Sequence, residues 1–370
     1  MADGLMRAAV LETPETALKI EEIPIPEPKA GEVLVKVTAC GVCHTDLHVI
    51  KNEVAFPTPA VLGHEISGTV EAVGPGVEGP AVGTPVVASF IMPCGACQYC
   101  ARGRDDVCER FFALNRLKGV LYDGSTRLFR RDGSPLWMYS MAGLAEYAVV
   151  PATDVFPLPE GLPLEESSIL GCAVFTAYGA VRHAADLRAG ERVAVVALGG
   201  VGVNIVQIAN GFGASQIIAV DIVPEKLDAA RRFGATDVVN SAEGDPVARV
   251  RELTGGEGVD VAFEALGLPQ TFVQAAEMLR DAGRMVAVGI APGKTTAPVE
   301  ITRLVRRSQR IIGSYGARTR ADMPRLLSLV ARGFVNLEQM VTQKLPLEEA
   351  NSAYEALDRG EIVGRAVIVL

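Results

Sequence analysis

The stretch RVAVVALGGVGVNIVQIANGFGASQIIAVDIV, Arg192 to Val223, limits the possible folds more than any other part of the chain. Val193 to Leu198 is an unbroken apolar run of strand length. Gly199, Gly200 and Gly202 make a turn, and Ile205, Ile208, Ala209 and Phe212 then recur at helical spacing. A second apolar run, Ile217 to Val220, ends at Asp221, nineteen residues beyond Gly202. Strand, glycine turn, helix and strand in this order make a βαβ unit of the dinucleotide-binding kind. The glycines let backbone approach a pyrophosphate, which sits at the helix N-terminus. Asp221, at the end of the second strand, can bind a ribose 2′-OH and would repel a 2′-phosphate, which favours NAD over NADP. One glycine of the usual turn is replaced by Ala197, so a negative φ is expected there.

Further apolar runs follow around 259–267, 284–292 and 309–316, and with intervening helical segments they complete a six-stranded parallel α/β Rossmann domain. The first part of the chain reads differently. Val33, Val35 and Val37 alternate with Leu34, Lys36 and Thr38, and ISGTVEAVG and TPVVASF are short β runs with glycine and proline turns. These predict a mainly antiparallel, partly closed β domain. Ala350, Ala353, Tyr354 and Leu357 mark an amphipathic helix near the end. There are no internal repeats or low-complexity linkers.

Four of the seven cysteines, Cys94, Cys97, Cys100 and Cys108, fall in PCGACQYCARGRDDVC. The N-terminal stretch lacks the apolar core of a secretory signal. The longest apolar run, Val193 to Val203, holds three glycines and is far below the roughly 20 residues of a membrane helix. A soluble, cytoplasmic protein is expected, with no membrane partner. A net charge of −9 gives no electrostatic reason to expect nucleic acid. In a reducing compartment, clustered cysteines are metal ligands before they are disulfides. Spacings of two, two and seven residues let one loop wrap a tetrahedral ion, and four thiolates leave no open position. Structural zinc is the favoured reading, with an iron–sulfur cluster as the alternative.

A second set of donors is scattered. ACGVCHTDLH holds Cys43, His44, Thr45, Asp46 and His48; GHE holds His64 and Glu65; GCAVFTAYG holds Cys172. Three of the four histidines lie in the first two segments. Cys43, His64 and Cys172 offer two thiolates and one imidazole, which with one water is the donor set of an open catalytic zinc. Asp46 suits the ring N–H of His64. Cys40 is expected to be a buried thiol without a ligand role.

From about Lys29 to its end, the chain resembles the zinc-dependent medium-chain alcohol dehydrogenases. GVCHTD, GHE, the four-cysteine loop and GC ahead of the Rossmann unit stand in that family's order. The resemblance implies a GroES-like catalytic domain over 1–173 and 315–370 carrying both zinc sites, and an NAD-binding domain over 174–314. It assigns the catalytic zinc to Cys43, His64 and Cys172, with Glu65 auxiliary and Asp46 behind His64. Thr45 would accept the alcohol proton and pass it through a ribose hydroxyl to His48. Lys226 would face the ribose. His44, in place of a basic residue, and Arg365 would face the pyrophosphate. Thr176, Val201 and Val288 would touch the cofactor. Ile222 stands where NADP-using relatives often have a basic residue.

The implied activity is reversible hydride transfer between a primary or secondary alcohol and NAD, with two zinc ions per chain. A thiol-adduct formaldehyde dehydrogenase or semialdehyde reductase is the alternative within this chemistry. A regulatory NAD-binding protein with structural zinc only is the alternative outside it. Residues 109–147 resemble the family's long-loop form, which favours a homodimer, a tetramer being possible. Trp137, Met138 and Tyr139 are expected to pack this loop to the body rather than line a channel.

Overall fold

The computed structural model describes residues 4–370, so the opening Met-Ala-Asp of the N-terminal stretch lies outside it. The chain divides into two units: residues up to 172 with 318–332 and 336–370, and residues 173–317 with 333–335.

The second unit is built on a six-stranded parallel sheet. Its strands run in the order Asp237–Asn240, Gln216–Asp221, Arg192–Val196, Val259–Glu264, Leu279–Ala287 and Arg310–Gly313. In chain order this is 3-2-1-4-5-6, the doubly wound Rossmann arrangement. The strands that read as continuous apolar runs are buried on both faces, as parallel strands between helices must be. Ile218, Val220, Ala262 and Met285 share one core cluster. Helices Pro224–Arg232, Pro246–Leu253 and Pro269–Glu277 each begin on proline, whose φ is already set for a first turn.

The glycine turn departs from the expected backbone. Ala197 has φ +73°, so the negative φ anticipated from sequence is wrong. Helix Gly200–Gly211 starts so close to the strand that a Cβ on Gly202 would lie 1.9 Å from the Ala197 carbonyl oxygen. Keeping that approach holds the preceding residue in the left-handed region, whichever residue type is there. Such a conformation costs an L-residue about 1–2 kcal/mol.

The first unit contains two sheets, mainly antiparallel and GroES-like. One runs Lys19–Pro24, Leu5–Leu11, Ala60–Val61, Pro135–Met138 and Leu128–Phe129. The other runs Val155–Pro157, Pro85–Ala88, Ile66–Val73, Glu32–Gly41, Arg365–Val369 and Val341–Pro346, with Tyr147–Pro151 also paired to Glu32–Gly41. The alternation read over 33–38 is only partial: Leu34 is buried along with the valines, and Lys36 is exposed. Glu32–Gly41 has partners on both edges and is buried at most of its positions, so polar alternation is not required along its whole length. The C-terminal strand pairs Val367 with Gly41 and Ile368 with Cys40, which brings the end of the chain beside Cys43. Met138 and Tyr139 are buried, and Tyr139 meets Phe56 edge-on with ring centroids 4.8 Å apart. Among the described residues, no helix is long and apolar enough to cross a membrane.

Replacing Ala197 with glycine should relieve the left-handed strain, less the larger unfolded-state entropy of glycine, for a net gain of about 0.5–1 kcal/mol. Urea denaturation of the second unit's signal would show it; a loss of stability would mean that the alanine methyl packs usefully.

Candidate metal centres and nucleotide turn

The scattered donors meet in the first unit. Cys43 ends the long strand's exit and caps helix His44–Ile50 in an extended conformation (φ −130°, ψ 146°). That short helix points Asp46 inward, where its side chain is fully buried. A buried carboxylate needs donors, and Asp46 has three: Gly63 N at 3.1 Å and His64 Nδ1 at 3.0 Å on one oxygen, and Tyr354 Oη at 3.2 Å on the other. With Nδ1 so occupied, His64 leaves Nε2 for something else, and that buried nitrogen has no hydrogen-bond partner among the described residues, with Glu65 Oε1 4.0 Å away.

One donor atom each from Cys43, His64, Glu65 and Cys172 lies within 4.8 Å of the others, and all four residues are buried. Ligands about 2.0–2.3 Å from one tetrahedral zinc ion stand close together in this way. Glycines make the approach possible. A Cβ on Gly41 would lie 2.2 Å from Glu65 Oε2, and one on Gly171 would lie 2.2 Å from the Ala88 carbonyl oxygen. Gly63 takes φ +97°, and a Cβ there would strike Leu144 N at 2.6 Å and the Cys40 Sγ at 2.8 Å. Cys40 itself is buried, and burial pushes its thiol well above the usual range.

The charges in this pocket are coupled. A hydrogen bond from Cys172 holds the Cys43 thiol well below its ordinary range, and the His64 imidazole adds to the effect. Burial opposes protonation of His64, but Asp46 and Cys43 outweigh it and the ring stands well above its usual value. Burial lifts Glu65 to about 7 against the pull of Arg365. Arg365 is almost fully buried and donates from Nη2 to Glu65 Oε1, so its guanidinium lies on this cluster. Thr45 Oγ1 is 3.7 Å from Cys43 Sγ. His48 is half-buried, with Nδ1 2.5 Å from Glu53 Oε2, and His44 is exposed.

The four-cysteine loop also converges: one sulfur each from Cys94, Cys97, Cys100 and Cys108 lies within 4.8 Å of the others. Cys97 Sγ and Cys108 Sγ are 3.9 Å apart, far from the roughly 2.05 Å of a disulfide. Backbone N–H groups of Cys97, Cys100 and Cys94 point at the sulfurs of Cys94, Cys97 and Cys108, at 3.3, 3.5 and 3.3 Å. Although burial opposes charge, backbone donors bring the Cys97 thiol down to about 6. The loop is clamped by buried Asp105, which takes two bonds from the Arg320 guanidinium while Arg320 Nη2 also donates to the Cys100 carbonyl at 2.6 Å.

In the second unit, Gly199 faces open space and Gly200 is partly exposed at the N-terminus of a twelve-residue helix. Asp221 accepts from Leu198 N at 2.7 Å, and its other oxygen accepts from Ile222 N and Val223 N at 2.8 and 3.0 Å. The carboxylate therefore shapes the turn as well as ending the strand. Lys226 lies partly exposed on the next helix, Thr176 is buried in helix Ala173–Gly179, and Val201 and Val288 are partly exposed. Sequence reasoning missed three contributors: Tyr354 on Asp46, the Asp105–Arg320 clamp, and the Arg365–Glu65 pair. Tyr354 was visible only as an apolar helix position, and nothing in the sequence joins it to residues some 300 positions away.

One chain thus carries a parallel sheet of dinucleotide-binding order and two candidate metal clusters, one of Cys43, His64, Glu65 and Cys172 and one of four cysteines. Residues 29–160 match the alcohol dehydrogenase GroES-like domain, and 200–332 match the zinc-binding dehydrogenase domain. The chain is 37% identical over 369 residues to the NDMA-dependent alcohol dehydrogenase of Amycolatopsis methanolica, covering 98% of each. It is 36% identical to an S-(hydroxymethyl)glutathione dehydrogenase of Escherichia coli, over 98% of this chain and 99% of the relative. The crystal structure of an alcohol dehydrogenase zinc-binding domain protein from Burkholderia ambifaria superposes with a TM-score of 0.94 at 37% identity, over 99% of both chains. The chain belongs to the zinc-dependent alcohol dehydrogenases of the medium-chain dehydrogenase/reductase family, which are oxidoreductases.

Tyr354→Phe removes one of the three donors on buried Asp46 and should cost about 1–3 kcal/mol of stability. Thermal unfolding of the metal-loaded protein measures this; an unchanged midpoint would show that the phenol is dispensable.

Proposed function

We propose that this chain is a cytoplasmic NAD-dependent zinc alcohol dehydrogenase that interconverts a primary or secondary alcohol with its carbonyl product. The observation behind this is the buried His64 Nε2, left without a hydrogen-bond partner among the described residues beside two cysteine sulfurs. Two thiols and an imidazole match zinc's donor preference, so the residues fit the ion. Zinc and NAD, when bound, supply Lewis acidity toward the substrate oxygen and a hydride acceptor.

The chain's own residues would do the rest. Cys43, His64 and Cys172 hold the metal, with Glu65 in reserve behind it. Asp46 keeps the proton of His64 on Nδ1 and so turns Nε2 toward the ion. Thr45 accepts the alcohol proton. His48 carries it onward to solvent, with Glu53 beside it. Cys94, Cys97, Cys100 and Cys108 hold a second zinc that only orders the loop. Gly199 and Gly200 leave room for the pyrophosphate, Gly202 lets the helix start close against the strand, His44 and Arg365 add positive charge near the pyrophosphate, and Asp221 with Lys226 reads the ribose. Thr176, Val201 and Val288 face the cofactor. Residues 109–147 act as the long form of the loop, and the assembly is a homodimer.

The Escherichia coli relative supports a second reading, oxidation of a thiol–formaldehyde adduct. Formaldehyde turnover with and without glutathione or mycothiol separates the two, since a plain alcohol dehydrogenase ignores the added thiol.

A panel of alcohols and aldehydes followed by NADH absorbance should show turnover that Cys43→Ala abolishes, with metal analysis giving two zinc ions per unaltered chain. One zinc per chain, or no turnover across the panel, would count against catalysis. Asp221→Gly should narrow the gap between NAD and NADP in kcat/KM; an unaltered protein already faster with NADPH would overturn the reading of that carboxylate.

A further inference from the structure

Glu264 closes the strand Val259–Glu264 and lies beside Val196, whose strand runs into the glycine turn. It is only 1% exposed. Its Oε1 accepts three hydrogen bonds: from Leu266 N at 2.9 Å, Gly267 N at 2.8 Å and Thr271 Oγ1 at 2.7 Å. Its main-chain oxygen accepts two more, from Val288 N at 2.8 Å and Gly289 N at 3.0 Å. One residue thus gathers four backbone N–H groups from two separate loops. Those loops meet at the backbone, since a Cβ on Gly289 would lie 2.1 Å from Gly267 N. Gly267 holds φ +91°, which a residue with a side chain adopts only under strain.

Burying a carboxylate is costly, and Glu264 Oε2 has no partner among the described residues. A packing role alone would be met at lower cost by an apolar side chain of similar size. The location supplies a reason for the carboxylate. In the order 3-2-1-4-5-6, the ligand crevice opens outside the carboxyl ends of strands 1 and 4, where the winding reverses. Strands 1 to 3, with the glycine turn and Asp221, make the half that takes the adenosine side. The loops after strands 4 and 5 belong to the other half, and Glu264 holds both of them. They carry three exposed apolar residues, Leu266 and Leu268, each 48% exposed, and Ile290, 40% exposed, and apolar surface of this kind suits a flat ring.

We propose that Glu264 is a positioning residue for the nicotinamide end of the dinucleotide, acting through the two loops that its carboxylate and its carbonyl hold together. This rests on the NAD reading above. Glu264→Ala removes the side-chain acceptor, and Glu264→Gln keeps an acceptor oxygen. The test titrates the zinc-loaded full chain with NADH and with ADP-ribose, which lacks the ring. In the alanine variant NADH should bind about tenfold more weakly, the loss of one to two kcal/mol expected for a buried acceptor, while ADP-ribose stays within about twofold. The glutamine variant should recover NADH binding to within about threefold. Should the alanine variant fail to fold, Thr271→Val takes away one of the three donors and should show the same contrast at about two- to threefold. Equal weakening of both ligands, or no weakening of NADH, overturns the proposal while leaving the NAD reading in place. An unaltered chain that binds neither ligand overturns both.

Discussion

The hydrogen bonds on Asp46 are the constraint on which the open metal cluster depends. One buried carboxylate joins the short helix after the long strand, the turn at Gly63 and the helix Ala350–Asp358 near the end of the chain. Its charge also decides which nitrogen of His64 is occupied and which is left for a metal. If Asp46 were neutral or displaced, the imidazole could rotate or change tautomer, and two cysteines alone would leave the donor set incomplete. The orientation of the imidazole is thus set at Nδ1, on the far side of the ring from the nitrogen that is left without a hydrogen bond among the described residues.

The two clusters solve different problems with similar atoms. In the open one, the donors come from three distant segments, so the fold must exist before they meet. In the four-cysteine loop, all donors lie within fifteen residues, and backbone N–H groups already point at three of the sulfurs. Four sulfurs would saturate a tetrahedral ion, a donor set suited to ordering a loop and leaving no position for a substrate. Asp105 and Arg320 then bind the ordered loop to a helix more than two hundred residues later. The second unit adds a glycine turn at a helix N-terminus, where backbone rather than side chains faces outward. Its strained Ala197 and its close approach at Gly202 are two sides of one requirement, a helix start pressed against the end of a strand.

Local order determined much of this protein. Continuous apolar runs separated by helical periodicity define the parallel sheet, because a strand buried on both faces has no polar positions to interrupt it. Cysteine spacing over fifteen residues defines the closed cluster, because chain length alone brings those sulfurs together. The βαβ unit that runs from the glycine turn to Asp221 was legible for the same reason. Its backbone was not: the sign of φ at Ala197 follows from how closely a helix packs on a strand, and a sequence records no packing distance.

Tertiary structure decided what depends on segments far apart in the chain. Cys43, His64 and Cys172 could be picked out as residue types, but only folding shows their donor atoms within reach of one ion. Tyr354 reads as an apolar helix position until the fold brings its hydroxyl to Asp46. Arg365, read in sequence as a residue facing the pyrophosphate, shows its pairing with Glu65 only once the fold buries it there. Glu264 shows nothing in sequence of the four backbone groups it collects. A hydrogen bond of 3 Å between residues 300 apart leaves no periodicity and no spacing to read, because its geometry belongs to the packed core and not to the chain.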